Sequence, residues 1–244
     1  PEKNFILFDS LNLKKRINQN FFNICNFDKL NNIIKKEKPD IIFHLAAQSI
    51  VSLSHRYPLD TFETNVMGSA NILESVRINE VPNLVYITSD KCYKSNNSTK
   101  GFVEEDSLGG EDPYSGSKAC AEIVVNTYYK SFFSKKQKMG IATARAGNVI
   151  GGGDWSKDRI IPDIVKATVN NQKIYIRNPE ATRPWQHVFE IISGYLFLMI
   201  NLSVKKKLTG EAFNFGPRIK KKFTVLKILK LSKRFWPKIK WKIK

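Results

Sequence analysis

Cysteine and histidine are scarce in this 244-residue chain, with three of each. Cys25, Cys92 and Cys120 show no paired spacing and leave one thiol over, which excludes a disulfide framework and fits a reducing compartment. His44, His55 and His187 are too scattered to suggest a metal site. No apolar run approaches the roughly 18–20 residues that a membrane span needs. The longest, Ile191 to Leu202, is broken by Ser193, Gly194 and Asn201. No charged, apolar, small-residue leader follows Pro1, and there is neither an internal repeat nor a low-complexity linker. These absences predict a cytoplasmic protein without a membrane partner, cut at its start.

Acid is also in short supply, with 22 Asp and Glu against 40 Lys and Arg, a formal net charge of +18. The excess is concentrated. Arg218 to Lys244 hold 12 basic residues and no acid, which leaves residues 1–217 with 28 against 22, a net +6. Such a lysine-rich tail reads as a solvated face, so no specific nucleic-acid partner is expected. The remaining composition, 42% hydrophobic and 25% charged, is that of an ordinary globular protein.

Short apolar runs alternate with helical patterns. Residues 40–46 (DIIFHLA), 84–88 (LVYIT) and 141–146 (IATARA) read as buried strands. Between them, residues 61–78 carry Phe62, Val66, Ala70, Leu73 and Val76 at helical spacing, and a second helix is predicted from about Tyr114 to Phe133. This alternation predicts an α/β fold, a doubly wound parallel sheet of Rossmann type with helices on both faces. Beyond the Gly151-Gly152-Gly153 loop the elements shorten. Helices are expected over 160–169 and 190–202, and strands over 174–176 and 211–215. Thr224 reads as the N-cap of a further helix that Pro237 ends. Residues 238–244 alternate lysine with Ile239, Trp241 and Ile243, the period-2 mark of a half-exposed edge strand guarded by lysines.

Tyr114 and Lys118 are four residues apart on the second predicted helix, so both side chains emerge on one face. A lysine cation beside a tyrosine favours phenolate and makes the hydroxyl a usable base. Alone, this spacing also suits an amphipathic helix with a snorkelling lysine. Thr88-Ser89-Asp90-Lys91 follows directly on a strand, at the carboxyl end where open α/β sheets place their ligands. The bland alternative is a turn that caps the strand. Leu45-Ala46-Ala47-Gln48 ends the neighbouring strand, with small residues that would let the backbone approach a ligand or make a tight corner; His44 reads as a packed core residue.

FHLAAQ (43–48), TNVMG (64–68), TSDKCY (88–93), DPYSGSK (112–118), ARAGNVIGGGDW (144–155), DRIIPD (158–163) and TRPWQHV (182–188) occur in this order. Together they resemble the extended short-chain dehydrogenase/reductase family of NAD-dependent epimerases and dehydratases, over nearly the whole chain. Within it the resemblance is to the sugar-nucleotide 4,6-dehydratases. Asp90-Lys91, where the dTDP-sugar branch has Asp-Glu, points to the branch that acts on CDP-glucose. The resemblance implies a lyase of deoxysugar biosynthesis that holds NAD, yields a 4-keto-6-deoxy sugar and water, and forms a homo-oligomer. Tyr114, assisted by Lys118 and Ser89, would take the 4-hydroxyl proton as hydride leaves C4; Asp90 would protonate the departing 6-hydroxyl. Lys91 would act at C5 as base or by positioning. Asn23, Ile24, Leu45, Ala46, Ala47, Gln48, Asn65, Thr88, Tyr114 and Lys118 would face NAD. Asn148, Arg159 and Arg183 would face the nucleotide sugar, the arginines pairing with its diphosphate. No metal is implied. Trp155 and Trp185 would stack on the base or fill the core.

The implied domains are residues 1–150 for NAD, 151–183 with 218–244 for the substrate, and 184–217 returning to the first. Three departures accompany the resemblance. No glycine-rich, phosphate-cradling turn precedes His44, so the first βαβ portion is expected to be missing. Phe22-Asn23-Ile24-Cys25-Asn26 stands where relatives read Gly-Asp-Ile-Arg-Asp, which puts Asn23 in place of a carboxylate expected at the adenine. Gly116 interrupts the Tyr114 helix at a cost of up to about 1 kcal/mol. An epimerase of the same family would keep Tyr114 and Lys118 without needing Asp90-Lys91. A degenerate copy would bind substrate weakly and NAD hardly at all. A nucleic-acid binder would rest on the tail alone.

Overall fold

The computed structural model of the chain describes residues 6–95, 101–136, 139–156, 158–204, 206–217 and 223–244. Its α-helices are α1 (Ile6–Ser10), α2 (Phe27–Glu37), α3 (Val51–Arg56), α4 (Pro58–Phe62), α5 (Gly68–Ile78), α6 (Pro113–Tyr128), α7 (Ile160–Val169), α8 (Val188–Val204) and α9 (Val225–Phe235). Its strands are β1 (Ile41–His44), β2 (Asn83–Ile87), β3 (Gly140–Ala146), β4 (Val149–Ile150), β5 (Lys173–Ile176), β6 (Gln186–His187), β7 (Ala212–Phe215) and β8 (Lys240–Ile243). Two compact units emerge, one from residues 21–147 and 189–215, the other from the described residues of 1–20, 148–188 and 216–244.

The first unit is an α/β layer around a four-stranded parallel sheet in the order β1-β2-β3-β7. All seven residues of β3 are buried, and four of the five in β2, which is why these segments read as continuous apolar runs. Leu73 and Val76 from α5, Leu84 from β2, Ile141 from β3 and Val125 from α6 join one core with Leu30 and Ile34 of α2. Full burial of each such side chain contributes roughly 1.5–3 kcal/mol. The helix expected over 61–78 is longer than its apolar spacing suggested. It begins at Pro58, at the first turn of α4, and runs through a π-helical turn at Glu63–Met67 into α5.

The second unit has its own core of Ile164, Ile174, Ile176, Leu229 and Ile239. Here β5 pairs in parallel with β8, and β4 with β6. Thr224 accepts the Lys227 amide at 3.2 Å and caps α9, as its place before the apolar periodicity predicts. The lysines of β8 are exposed, Trp241 is half-buried and the preceding Ile239 is buried, but Ile243 is 48% exposed, so the expected alternation holds over 239–242 and not at the strand's end. Residues 6–20 group with this unit, whereas the sequence reading put them with the sheet. Leu7 accounts for this: its side chain lies so close to Gly153 that a Cβ there would come within 2.6 Å of it. Arg218, the expected start of the lobe's last piece, lies outside the described residues.

Candidate active site

α6 owes its start to local chemistry. Asp112 precedes Pro113 and accepts the amides of Tyr114 and Ser115 at 3.0 Å each, while Ser115 Oγ accepts the Asp112 amide at 3.2 Å. This reciprocal capping box fixes where the first turn begins and so where Tyr114 stands. Tyr114 and Lys118 are 8% and 5% exposed. Burial pushes the Lys118 ammonium down to about 8, and the nearby Glu122 carboxylate opposes the fall.

The strand ends gather around this helix. After β2, Ser89 caps a 3-10 turn over Asp90–Cys92, accepting the Lys91 amide at 3.2 Å and donating to Asp90 Oδ1 at 3.1 Å. The turn packs on α6 through Cys92 and Tyr93 against Ala119. Ser89 is buried, Asp90 half-buried and Lys91 exposed. Thr88, also buried, donates to Glu122 Oε1. At the end of β1, His44 is buried against Tyr86 with ring centroids 4.7 Å apart. Burial, with the Lys118 charge, lowers its imidazole to about 4.

The segment after β1 is held from α6 and the π-helical turn. Asn65 Oδ1 accepts the Gln48 amide at 2.8 Å, and its Nδ2 donates to the Gln48 carbonyl at 3.0 Å and to Ser117 Oγ at 2.9 Å. Both amide hydrogens of Asn65 are thereby used inside the protein. Gln48 in turn donates to Thr61 and accepts the Ile50 amide. Leu45 and Ala46 are left exposed beside these anchors, with Ala47 half-buried. Asn23 Oδ1 accepts the Cys25 amide at 3.0 Å, and Asn71 clamps the carbonyls of Ile24 and Cys25 at 3.1 Å each. The structure thus brings Tyr114, Lys118, Thr88, Ser89, Asp90, Lys91, Asn65 and the 45–48 segment together in the first unit.

A sequence model of GDP-mannose 4,6 dehydratase matches residues 6–235. The chain belongs to the GDP-mannose 4,6-dehydratase family. It is 46% identical over 217 residues to CDP-glucose 4,6-dehydratase of Salmonella typhimurium, covering 87% of this chain and 60% of that protein. To dTDP-D-glucose 4,6-dehydratase of Dictyostelium discoideum it is 32% identical over 215 residues, 83% of this chain and 47% of that one. It therefore spans 60% or less of the length of these two curated relatives. Among solved structures, UDP-glucuronic acid 4-epimerase from Bacillus cereus, in complex with UDP-glucuronic acid and NAD, has the same fold. The TM-score is 0.81 at 21% identity, over 97% of this chain and 71% of that one. The dTDP-glucose 4,6-dehydratase of Bacillus anthracis, in complex with NAD, gives 0.77 at 24% identity, over 98% and 72%.

In this member of the GDP-mannose 4,6-dehydratase family, the three residues expected at the nucleotide sugar all lie in the second unit. The Asn148 carbonyl accepts the Gln186 amide at 3.0 Å. Arg159 precedes α7 with a guanidinium nitrogen 3.9 Å from Asp154. Arg183 is exposed and donates to the Thr182 carbonyl at 2.8 Å. Trp155 and Trp185 are both half-buried. Among the described residues no group of three His, Cys, Asp or Glu could hold a metal ion, and no helix is long and apolar enough to cross a membrane.

Sequence reasoning missed Glu122 and Arg145. Arg145 forks onto the Glu122 carboxylate, Nε to Oε1 and Nη2 to Oε2, both at 2.9 Å, with both residues buried. The signal available was spacing: Glu122 follows Lys118 by four residues, as Lys118 follows Tyr114.

Proposed function

We propose that the protein carries out, with NAD, the 4,6-dehydration of a CDP-hexose, CDP-glucose in the first place. One observation carries the reading. The Ser89-Asp90-Lys91 turn, at the carboxyl end of β2, packs through Cys92 and Tyr93 on the helix that bears Tyr114 and Lys118. An acid, an amine and a hydroxyl base share one unit, as a reaction with both an oxidation and an elimination requires. The 46% identity to a CDP-glucose 4,6-dehydratase supports the substrate class. A 4-epimerase would have no use for a second acid at C6, which favours the dehydratase reading over that alternative.

The residues fit a dinucleotide at the ends of β1 and β2. Exposed Leu45 and Ala46 leave backbone accessible there, and the buried Nε2 of His44 has no hydrogen-bond partner among the described residues. Leu45–Gln48, Thr88, Tyr114 and Lys118 would hold the cofactor, with Asn65 keeping Gln48 in place and Asn23 and Ile24 nearer the adenine end. Reversible acceptance of a hydride is the chemistry that NAD supplies. Tyr114, as phenolate beside the Lys118 cation, takes the proton of the 4-hydroxyl. Asp90 gives its proton to the 6-hydroxyl as water leaves, and the C5 proton that must go with it passes to Lys91 as base, or leaves from a C5 that Lys91 positions. Asn148, Arg159 and Arg183 face the nucleotide sugar, the two arginines pairing with its diphosphate. Homo-oligomer formation belongs to the same reading, supported by the apolar stripe Phe189, Ile192, Leu196, Ile200 and Val204 exposed along one face of α8.

The test is isotopic. The protein incubated with NAD and CDP-glucose deuterated at C4 should give a 4-keto-6-deoxy sugar with deuterium at C6 and no net reduced cofactor. Tyr114→Phe should abolish every step. Asp90→Asn should still oxidise C4 and stop there, with reduced cofactor accumulating. Acid catalysis supplies about 10²–10⁴-fold, so dehydration by Asp90→Asn within about tenfold of the parent would remove Asp90 from this role.

A further inference from the structure

Tyr114, Lys118 and Glu122 recur at four-residue intervals along α6, so they form one stripe, and all three are buried, at 8%, 5% and 4% exposure. A buried lysine assists a neighbouring phenolate only while it remains a cation, and burial works against the cation. Some fixed anion has to hold it. The groups around Lys118 narrow the choice. His44, at the end of β1, has its imidazole lowered to about 4 and is neutral at pH 7. Cys92, in the turn after β2, is a thiol pushed up to about 12 by burial and is neutral as well. Asp90, in the same turn, is half-buried and accepts the Ser89 hydroxyl. Tyr114 is the group to be ionised. Glu122 is the fully buried carboxylate of the set.

Glu122 is also fixed with unusual completeness. Oε1 accepts from Thr88 Oγ1 and, at 2.9 Å, from Arg145 Nε; Oε2 accepts from Thr143 Oγ1 and Arg145 Nη2, each at 2.9 Å. Arg145 is itself anchored, donating to Tyr93 Oη at 2.8 Å and to the Glu104 carbonyl at 2.9 Å. Four donors, three from β3 and one from the residue after β2, hold the carboxylate in one place. Held in this way, it acts on Lys118 through space, one helical turn away.

We infer that Glu122 is a positioning residue for the Tyr114–Lys118 pair, a buried anion locked to the sheet by Arg145 that keeps the Lys118 amine charged. The inference rests on the proposed reaction for its purpose, but its physical content does not depend on turnover. The test is therefore a titration of Lys118 itself, in the 244-residue chain labelled with ¹³C at lysine Cε, its resonance assigned with Lys118→Arg. In Glu122→Gln the Lys118 midpoint should fall by at least about one pH unit, as expected for loss of an adjacent opposite charge. Glu122→Asp should restore it towards the parent value. Gln alone leaves Arg145 buried without its anion, which is strongly destabilising. If that variant does not fold, Glu122→Gln/Arg145→Gln leaves no unpaired guanidinium and should still show a fall, a smaller one because a cation is removed with the anion. An unchanged Lys118 midpoint in the folded Gln variant would overturn the inference and leave Glu122 as a brace between helix and sheet. An absence of dehydratase activity with the midpoint shifted as expected would count against the proposed reaction and not against this role.

Discussion

Asp112 caps the helix that carries Tyr114 by accepting that tyrosine's own amide at 3.0 Å, so a backbone interaction sets the position of the base. Asp112→Ala removes this bond and the one to Ser115. It should lower stability by about 1 kcal/mol, the usual cost of an N-cap carboxylate, read as a shift in the urea midpoint at constant slope. Asp112→Ser restores a capping oxygen and should recover most of the loss. Equal destabilisation by both substitutions would show that the cap contributes little.

His44 should make the fold acid-sensitive over a defined window. Its folded value of about 4 lies below the 6.5 of an unfolded chain, so unfolding takes up a proton between the two. The contribution is fully present above pH 6.5 and is lost as pH falls towards 4, amounting to about 3 kcal/mol in all. His44→Phe, which keeps a ring against Tyr86, should flatten the stability curve in this window. Parallel curves for parent and variant between pH 7 and 4 would contradict it.

Gly116 occupies the second turn of α6 without a spatial reason. A Cβ there would meet the Gly110 carbonyl oxygen at 3.8 Å and a Phe62 ring carbon at 3.9 Å, both ordinary contacts. Gly116→Ala should therefore raise stability by up to about 1 kcal/mol through the unfolded chain's lost freedom. A fall in the thermal midpoint would mean that helix entry depends on this glycine in another way.

Gly210 is the opposite case. Its φ of +89° is poorly tolerated by side chains, and a Cβ would come within 2.1 Å of the Tyr129 ring. Gly210→Ala should cost at least about 2 kcal/mol from strain and overpacking together. Gly210→Ala combined with Tyr129→Ala should recover the overpacking share and retain the strain.

The sheet was legible because its central strands are buried on both faces: LVYIT and IATARA admit little but apolar or small residues. β8 was legible only in part: Lys240 and Lys242 are exposed around half-buried Trp241, but Ile243 is exposed as well. α2 was legible as well, since Phe27, Leu30, Ile33 and Ile34 recur at helical spacing behind the Asn26 cap, although it does not figure among the expected helices. β4 and β6 are two residues each and exist only by pairing across the fold, which no local pattern announces. At the site, Tyr114, Lys118 and the Ser89-Asp90-Lys91 turn were readable because each is local. Asn65 was picked out, but its commitment to Gln48 and Ser117 depends on segments 17 and 52 residues away. The pairing of Glu122 with Arg145 likewise joins a helix to a strand, and nothing in either segment alone shows that they meet.

β5 and β8 lie side by side in parallel although Lys173 and its partner Lys240 are 67 positions apart. On a ribosome the first of these strands leaves the exit long before the second. At about 5–20 residues per second the wait is about 3 to 13 s. For that interval Ile174 and Ile176 have neither Leu229 nor Ile239 to cover them, and the strand offers an open edge. The yield of folded protein then depends on how fast the message is read and on what shields the nascent chain meanwhile.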